Sequence, residues 1–431
     1  MQKSSLGVLF VGAVLLGTSC AVPSARKAQP RDSTVKTTDV ASLKPVDMAS
    51  PSVLAELPTD VQPDPPSPIP VADQPAVDHA LKTVRVLLAD NQSSAKIEHS
   101  GRVYVYTQNL DKTYKVSSAG TLAVRFAGNG RVQVGSLKSA KPIIIEPAKE
   151  TLLTWNNNLY AGKIVVVPAQ HTFILVEHVD LENYLYGVLP YEMSYSWPPE
   201  ALKAQAVAAR TYTLRTLENV KNQHFDLYSD VRSQMYKGGG KQYPSVKQAV
   251  DATKSKVLTY NDKLFYTYYH GNCGGGTDDV KSWNHGAKTI KPLSGASCAY
   301  DKHSKSYSFK QDIPYAKVSR FVHNAGLAGS VKSVGVAHRT STGRATQLVV
   351  HTNKGHKNFS CNKFRLATGL RSCKLTKLQL SGNTLHTAGH GYGHGIGMCQ
   401  DGANGMAKAG KTYEQILANY YPGSKLTTLK K

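Results

Sequence analysis

Glu192 stands in the string PYEMSYSWP, between Tyr191 and Met193 and close to Tyr195 and Trp197. A carboxyl group among aromatic and apolar neighbours loses solvation, which disfavours its charged form and raises its pKa. An acid tuned in this way can protonate a glycosidic oxygen and then act as base. Residue type alone leaves an ordinary surface carboxylate as the competing reading. Glu200, by contrast, has a structural task at hand, because it falls in the first turn of an expected helix and faces the positive end of its dipole. Lys203 and Arg210 follow, two turns apart on that helix, so both point roughly the same way. They could face one cleft or simply be solvated.

Two further strings carry chemistry-capable groups. GHGYGHGIGMCQDGA has five glycines between positions 389 and 397, which let the backbone approach a ligand closely and expose His390 and His394. Histidines four apart suit a metal on a helix, and this stretch is not one, so substrate contact or structural hydrogen bonding is expected of them. Cys399 beside His394 admits a thiol nucleophile, but no acid stands near to orient the histidine. In HGNC, His270 and Cys273 have a chelating spacing, and Cys298, Asp301 and His303 follow in SCAYDKH. His270, Cys273 and Cys298 with Asp301 or His303 would give four ligands for a structural zinc. A Cys273–Cys298 disulfide and a pair of free thiols are the rivals. Cys361 and Cys373, twelve apart, are expected to form a disulfide.

The elements that must position these groups change character along the chain. TVRVLL, RVYVYT, TLAVRF, PIIIEP, KIVVVP and TFILVEHV, all before residue 180, have the β-branched and aromatic content of strands. From Ser196 the period becomes helical, with Leu202, Ala206, Ala209 and Leu217 on one side, Ser196 as a cap and Pro198 and Pro199 in the first turn. Glu192 is expected in a short aromatic loop before that helix. A second helix is expected in YPSVKQAVDATKSK, then the strand-like VLTYNDKLFYTYYH, a glycine-rich loop, a mixed region with strands such as ATQLVVHT, and two short closing helices. There is no internal repeat. The expectation is an α+β fold in one body, β-rich in its N-terminal part, with a helix and glycine-rich loops around a central cleft.

Residues 1–20 read as an export signal, with Lys3, an apolar run from Leu6 to Leu16 and the small residues GTSCA. Cys20 is expected to be the lipidated first residue of a lipoprotein, with cleavage before Val22 as the alternative; the run is too short to span a bilayer. Residues 21–80 form a tether, with nine prolines between Pro45 and Pro75. The first 80 residues hold six Lys/Arg and eight Asp/Glu, so a chain of net charge +23 leaves +25 on residues 81–431. Such a body attracts polyanions. Export argues against nucleic acid and for an anionic wall polymer.

Taken together, these strings resemble the stage II sporulation protein D / LytB (SpoIID/LytB) family of bacterial cell-wall enzymes and amidase enhancers. VDLENYLYGVLPYEMSYSWPPEALKAQAVAARTYTL is similar to its signature helix entry, SDVRSQMYKGG to its Q-x-Y-x-G segment and YYHGNCGGGTDDVKSW to its Gly-Gly-x-Thr loop. GHGYGHGIGMCQDGANGMAKAGKTYEQILANYYPG is similar to its closing signature. The resemblance implies a lytic transglycosylase acting on peptide-stripped peptidoglycan glycan strands, with Glu192 as the acid/base. It implies Lys203, Arg210, Gln234, Tyr236, His394 and Gln400 as substrate-binding residues. No cofactor is required. Some relatives bind zinc near the Gly-Gly-x-Thr loop, which here keeps His270, Cys273 and Cys298, with Asp301 where a second cysteine of C-x-x-C would be expected. The alternative is a non-catalytic enhancer of an N-acetylmuramoyl-L-alanine amidase. In either case the expected partners are glycan strands, a cell-wall amidase and, through the lipid anchor alone, the membrane. Cys399 departs from the serine common at its position.

Overall fold

The β-branched segments of the N-terminal part build two sheets around a shared core. A computed structural model describes residues 83–220, 222–283 and 287–429; the export signal, Cys20 and the tether lie outside the described residues. One sheet has seven strands in the order 227–228, 83–92, 173–180, 163–168, 143–147, 103–107 and 113–116. The other has six, in the order 158–160, 153–155, 94–99, 120–126, 132–134 and 137–139. All six segments expected as strands fall in these sheets. Because side chains alternate along a strand, Ile143 and Ile145 point into the shared core with Val84, Val86, Val103 and Val105. Ile144 points the other way, against Val165, Val167 and Val176.

The strand ending at Asp180 runs directly into helix α1 (Leu181–Glu192), capped by the Asp180 carboxylate, which accepts from the Asn183 N–H at 3.0 Å. Glu192 is therefore the last residue of a helix and not part of a loop. The sequence hid this element because Gly187 and Pro190 interrupt it and three tyrosines dilute its apolar stripe. Leu181, Tyr184, Leu185, Val188 and Leu189 nevertheless keep the spacing of a buried helical face.

Helix α2 (Pro199–Leu217) is covered on almost every side, not on one stripe alone, and its alanines allow that closeness. It starts without a side-chain cap; Ser196, the expected cap, bonds Ser194 instead. Around it pack α3 (Pro244–Ala252), α6 (Gln400–Lys408), α7 (Tyr413–Tyr420) and the strand 256–260. Between these, residues 308–390 fold two three-stranded sheets with α4 (Tyr315–Asn324) and α5 (Cys361–Thr368) over a separate apolar core. Cys361 and Cys373 are disulfide-bonded there, as their spacing predicted. The fold is α+β, with a β-rich N-terminal region. No helix of the described residues is long and apolar enough to cross a membrane.

Candidate active site

At the C-terminal end of α1 the Glu192 side chain is half-buried, and its Oε1 accepts the Met235 backbone N–H at 2.8 Å. Burial raises its pKa from 4.5 to about 7, even though the Met235 N–H and the Gln400 side chain pull the other way by bonding the carboxylate. The negative end of the helix dipole disfavours the charged form as well. Among the described residues no ion pair involves Glu192. A carboxyl in this state is protonated about half the time near neutral pH, which suits a group that must give and then take a proton.

The Met235 N–H is held in place by its two neighbours. Gln234 is buried and fully bonded: its Oε1 accepts from Thr213 Oγ1 at 2.8 Å and Tyr184 Oη at 3.3 Å, and its Nε2 donates to Tyr269 Oη at 3.1 Å and the Ala209 carbonyl at 3.4 Å. Tyr236 is buried too, donating to Glu177 Oε2 at 2.6 Å with its ring 4.9 Å from that of Tyr184. Both were expected to bind substrate. Neither has a polar group left to do so. Their side chains nail the loop to the core so that the amide between them meets Glu192. Gly187 is needed for that approach, since a Cβ there would lie 2.5 Å from the Tyr236 ring and 2.6 Å from the Gly238 carbonyl.

Arg210 also departs from expectation. Its side chain is fully buried, and all five donors are spent inside the protein. Nε and one terminal nitrogen grip the Glu182 carboxylate at 2.9 and 2.6 Å, while the carbonyls of Ala206, Val250 and Lys256 take the rest. It joins α1, α2, α3 and the strand 256–260, and no donor remains for a substrate. Lys203 pairs with Glu200 at 2.7 Å and lies over the Tyr413 ring, and Glu200 in turn accepts the Tyr413 N–H at 2.7 Å. Glu200 thus has the structural role read for it. Two residues on from Lys203 and roughly 200° round the helix, buried Gln205 accepts from Gln400 Nε2 at 3.4 Å. Gln205, not Lys203, therefore backs the group that touches Glu192. Nothing in residue type distinguished it from a surface glutamine.

His394 is fixed by the backbone. The Ile396 N–H donates to its Nδ1 at 3.1 Å, which leaves the proton on Nε2, donating to the Tyr269 carbonyl at 2.9 Å. Burial and then the Arg365 charge depress its pKa to about 3. It is a neutral clasp stacked on Trp283, with no ring nitrogen free for substrate. The clasp belongs to a zipper between the two glycine loops: Tyr269–His270 pairs in parallel with Met398–Cys399, and Asn272 and Asp278 bridge to Tyr392 and Ile396. At Gly397, a Cβ would stand 2.0 Å from the Tyr268 carbonyl.

This zipper corrects the expected metal ligands. Cys273, Cys298 and Asp301 do meet, but the fourth member is Cys399, and their ligand atoms all lie within 4.8 Å of one another. His270 is elsewhere, with Nδ1 on the Ile396 carbonyl. His303 is likewise outside the group. The parallel pairing sets His270 opposite Cys399 and carries Cys273 onto its sulfur, and periodicity could not foresee that.

Residues 169–260, from the strand before α1 to the strand after α3, match the model of the SpoIID family, stage II sporulation protein. An uncharacterized protein of Brachyspira hyodysenteriae is 35% identical over 275 residues, 63% of this chain and 73% of that one. Stage II sporulation protein D of Bacillus subtilis is 30% identical over 268 residues, 58% of this chain and 76% of its own length. The amidase enhancer of the same organism is 30% identical over 290 residues, 57% of this chain and 40% of that protein. The matched segment contains Glu192, its Met235 amide and the helix between them, and the chain belongs to the stage II sporulation protein D / LytB family.

Proposed function

We propose that this protein is a peptidoglycan lytic transglycosylase in which Glu192 is both acid and base. The observation that carries the reading is the state of that carboxyl: half-buried, unpaired with any cation and poised at a pKa of about 7. Glu192 in its protonated form would give its proton to the glycosidic oxygen leaving the muramyl C1. The resulting carboxylate would then take the proton from the muramyl C6 hydroxyl as O6 bonds to C1. One bond breaks, one forms, and the carboxyl ends protonated as it began. The Met235 N–H and Gln400 would hold the carboxylate during the half of the cycle in which it is charged.

A glycan stripped of its stem peptides bears free lactyl carboxylates, and a body of charge +25 would hold such a strand. Export with a lipid anchor at Cys20 would place the body against the wall. The similarity to a protein named amidase enhancer supports a second reading, in which the chain binds the wall and assists a separate amidase without turnover.

The two readings separate on incubation of purified protein with intact and with peptide-free strands, read by mass spectrometry. Anhydromuramyl ends from wild type and none from Glu192→Gln support the transglycosylase. No cleavage of either substrate by folded wild type would leave the enhancer. Cleavage that survives Glu192→Gln but not alkylation would point to Cys399 instead.

A further inference from the structure

Tyr195 lies three residues past Glu192, in the loop between α1 and α2, and is 48% exposed. Its ring stacks on that of Tyr243, with centroids 4.3 Å apart and planes 19° from parallel. Tyr243 also packs on the core of the N-terminal sheets. The stack therefore has an inner ring and an outer one, and the outer ring keeps an open face. The loop has another anchor besides the stack, because Ser245 Oγ donates to the Tyr195 carbonyl at 2.6 Å. Two lysines flank the rings. Lys241 Nζ lies 5.3 Å from the Tyr243 ring centre, and its charge reaches the Tyr191 and Tyr195 phenols. Lys237 Nζ lies 5.2 Å from the ring centre of Tyr191, the residue before Glu192. Lys237 also sits on the loop whose Met235 N–H meets Glu192. Both lysines are exposed, and among the described residues neither pairs with a carboxylate. An open aromatic face is costly in water, and two unpaired ammonium groups beside it attract an anion. A ligand that answers both has an apolar face and a negative charge on its edge.

We infer that Tyr195, stacked on Tyr243, is a platform for a pyranose ring of the glycan strand beside Glu192, and that Lys237 and Lys241 bind the free lactyl carboxylate of a muramyl residue. The inference rests on the reading of Glu192 as the group that acts on a muramyl glycosidic bond. A strand placed for that chemistry runs over the residues flanking Glu192, and those include the rings and lysines of this patch. The C–H face of a pyranose is apolar enough to lie flat on an aromatic ring, while its hydroxyls point outward to water. The lactyl group stands at the edge of the sugar ring, where an ammonium can meet its carboxylate in a charge-assisted hydrogen bond. A stem peptide turns that carboxylate into an amide, which removes the charge and adds bulk at the same place. The two lysines therefore set a preference for peptide-free strands, a choice that the Glu192 carboxyl does not make by itself.

Titration calorimetry on the full chain carrying Glu192→Gln, which leaves the ligand uncut, reads the patch without turnover. Two probes are compared: a peptide-free tetrasaccharide of alternating N-acetylglucosamine and N-acetylmuramic acid, and the same tetrasaccharide with its lactyl carboxylates converted to methylamides. The acid should bind about fivefold tighter than the amide. Adding Lys237→Gln and Lys241→Gln should erase that difference and leave amide binding unchanged. Tyr195→Ala should instead weaken both probes alike, by about tenfold. All three side chains are exposed, so urea unfolding of these variants should match that of the parent. Equal affinity for the two probes, or undiminished affinity in Tyr195→Ala, would overturn the inference even if wild type cleaves strands. If wild type makes no anhydromuramyl ends yet the carboxylate preference is present and depends on Lys237 and Lys241, the patch stands and only the catalytic reading of Glu192 falls.

Discussion

Replacing Glu192 by glutamine should stabilise the folded chain in alkali and leave it unchanged in acid. The carboxyl moves from a pKa of 4.5 to about 7 on folding. At about 1.4 kcal/mol per pH unit, its deprotonation is costlier in the folded chain by roughly 3 kcal/mol. Between those two values the folded chain keeps a proton that the unfolded chain has lost. Stability therefore falls as pH rises through that window, and above it the whole cost is borne. Below it both states are protonated and nothing is lost. Glutamine keeps an oxygen for the Met235 N–H and never ionises. Glu177, buried and also raised to about 7, titrates over the same range in both proteins and cancels in the difference. Urea unfolding of the two should coincide near pH 4. By about pH 8 the variant should be ahead by about 2–3 kcal/mol, the remaining exposure of Glu192 trimming the full figure. A variant no more stable than wild type at pH 8 would refute the reasoning, because the carboxylate would then be as well solvated as in water. A gain of equal size at both pH values would do the same, by tracing the effect to packing.

Arg210→Met should cost about 3–5 kcal/mol in urea unfolding, because Glu182 would keep its charge in a largely buried setting without a partner; an unchanged midpoint would restore Arg210 to the candidates for substrate contact. Gly187→Ala should cost about 1–3 kcal/mol by overpacking and, by pushing the 234–238 loop off α1, move the Glu192 titration upward in carbon-13 NMR of labelled glutamate. Tyr236→Phe leaves Glu177 with only the Gly162 N–H at 3.0 Å and should cost about 1–3 kcal/mol, with the loss greater at pH 8 than at pH 5 because Glu177 is charged there.

The sequence was most informative where one physical rule acts alone. Six strands followed from β-branched runs, and the disulfide from the spacing of Cys361 and Cys373. Glu192 stood out because its neighbours could desolvate it. Failures came where tertiary context decides. Gly187 and Pro190 read as helix breakers, yet the glycine is there to let Tyr236 in and α1 continues past it to Glu192. Lys203 and Arg210 share a helix face as their spacing requires, but what faces them is Glu200, Tyr413 and Glu182, not a ligand. Gln234 and Tyr236, which the resemblance made substrate contacts, point inward in the fold and bond within it. Cys399 joined the thiol cluster through a parallel strand pair with its partner more than a hundred residues away, and no local pattern encodes such a pairing.

The fate of the other carboxylates bears on how cleavage could proceed. A retaining glycoside hydrolase needs a second carboxyl about 5–5.5 Å from its acid, and an inverting one needs a second to activate water. The glutamates flanking Glu192 in sequence are all engaged. Glu177 takes the Tyr236 hydroxyl and the Gly162 N–H inside the core, Glu182 is gripped by Arg210, and Glu200 holds Lys203 and the Tyr413 N–H. Releasing any of them for chemistry would break a contact that joins two elements. An attacking group supplied by the substrate removes the need for one. In the proposed reaction the C6 hydroxyl of a muramyl residue would be such a group, and a lone carboxyl poised near neutrality, steadied by one amide and one glutamine, would serve it.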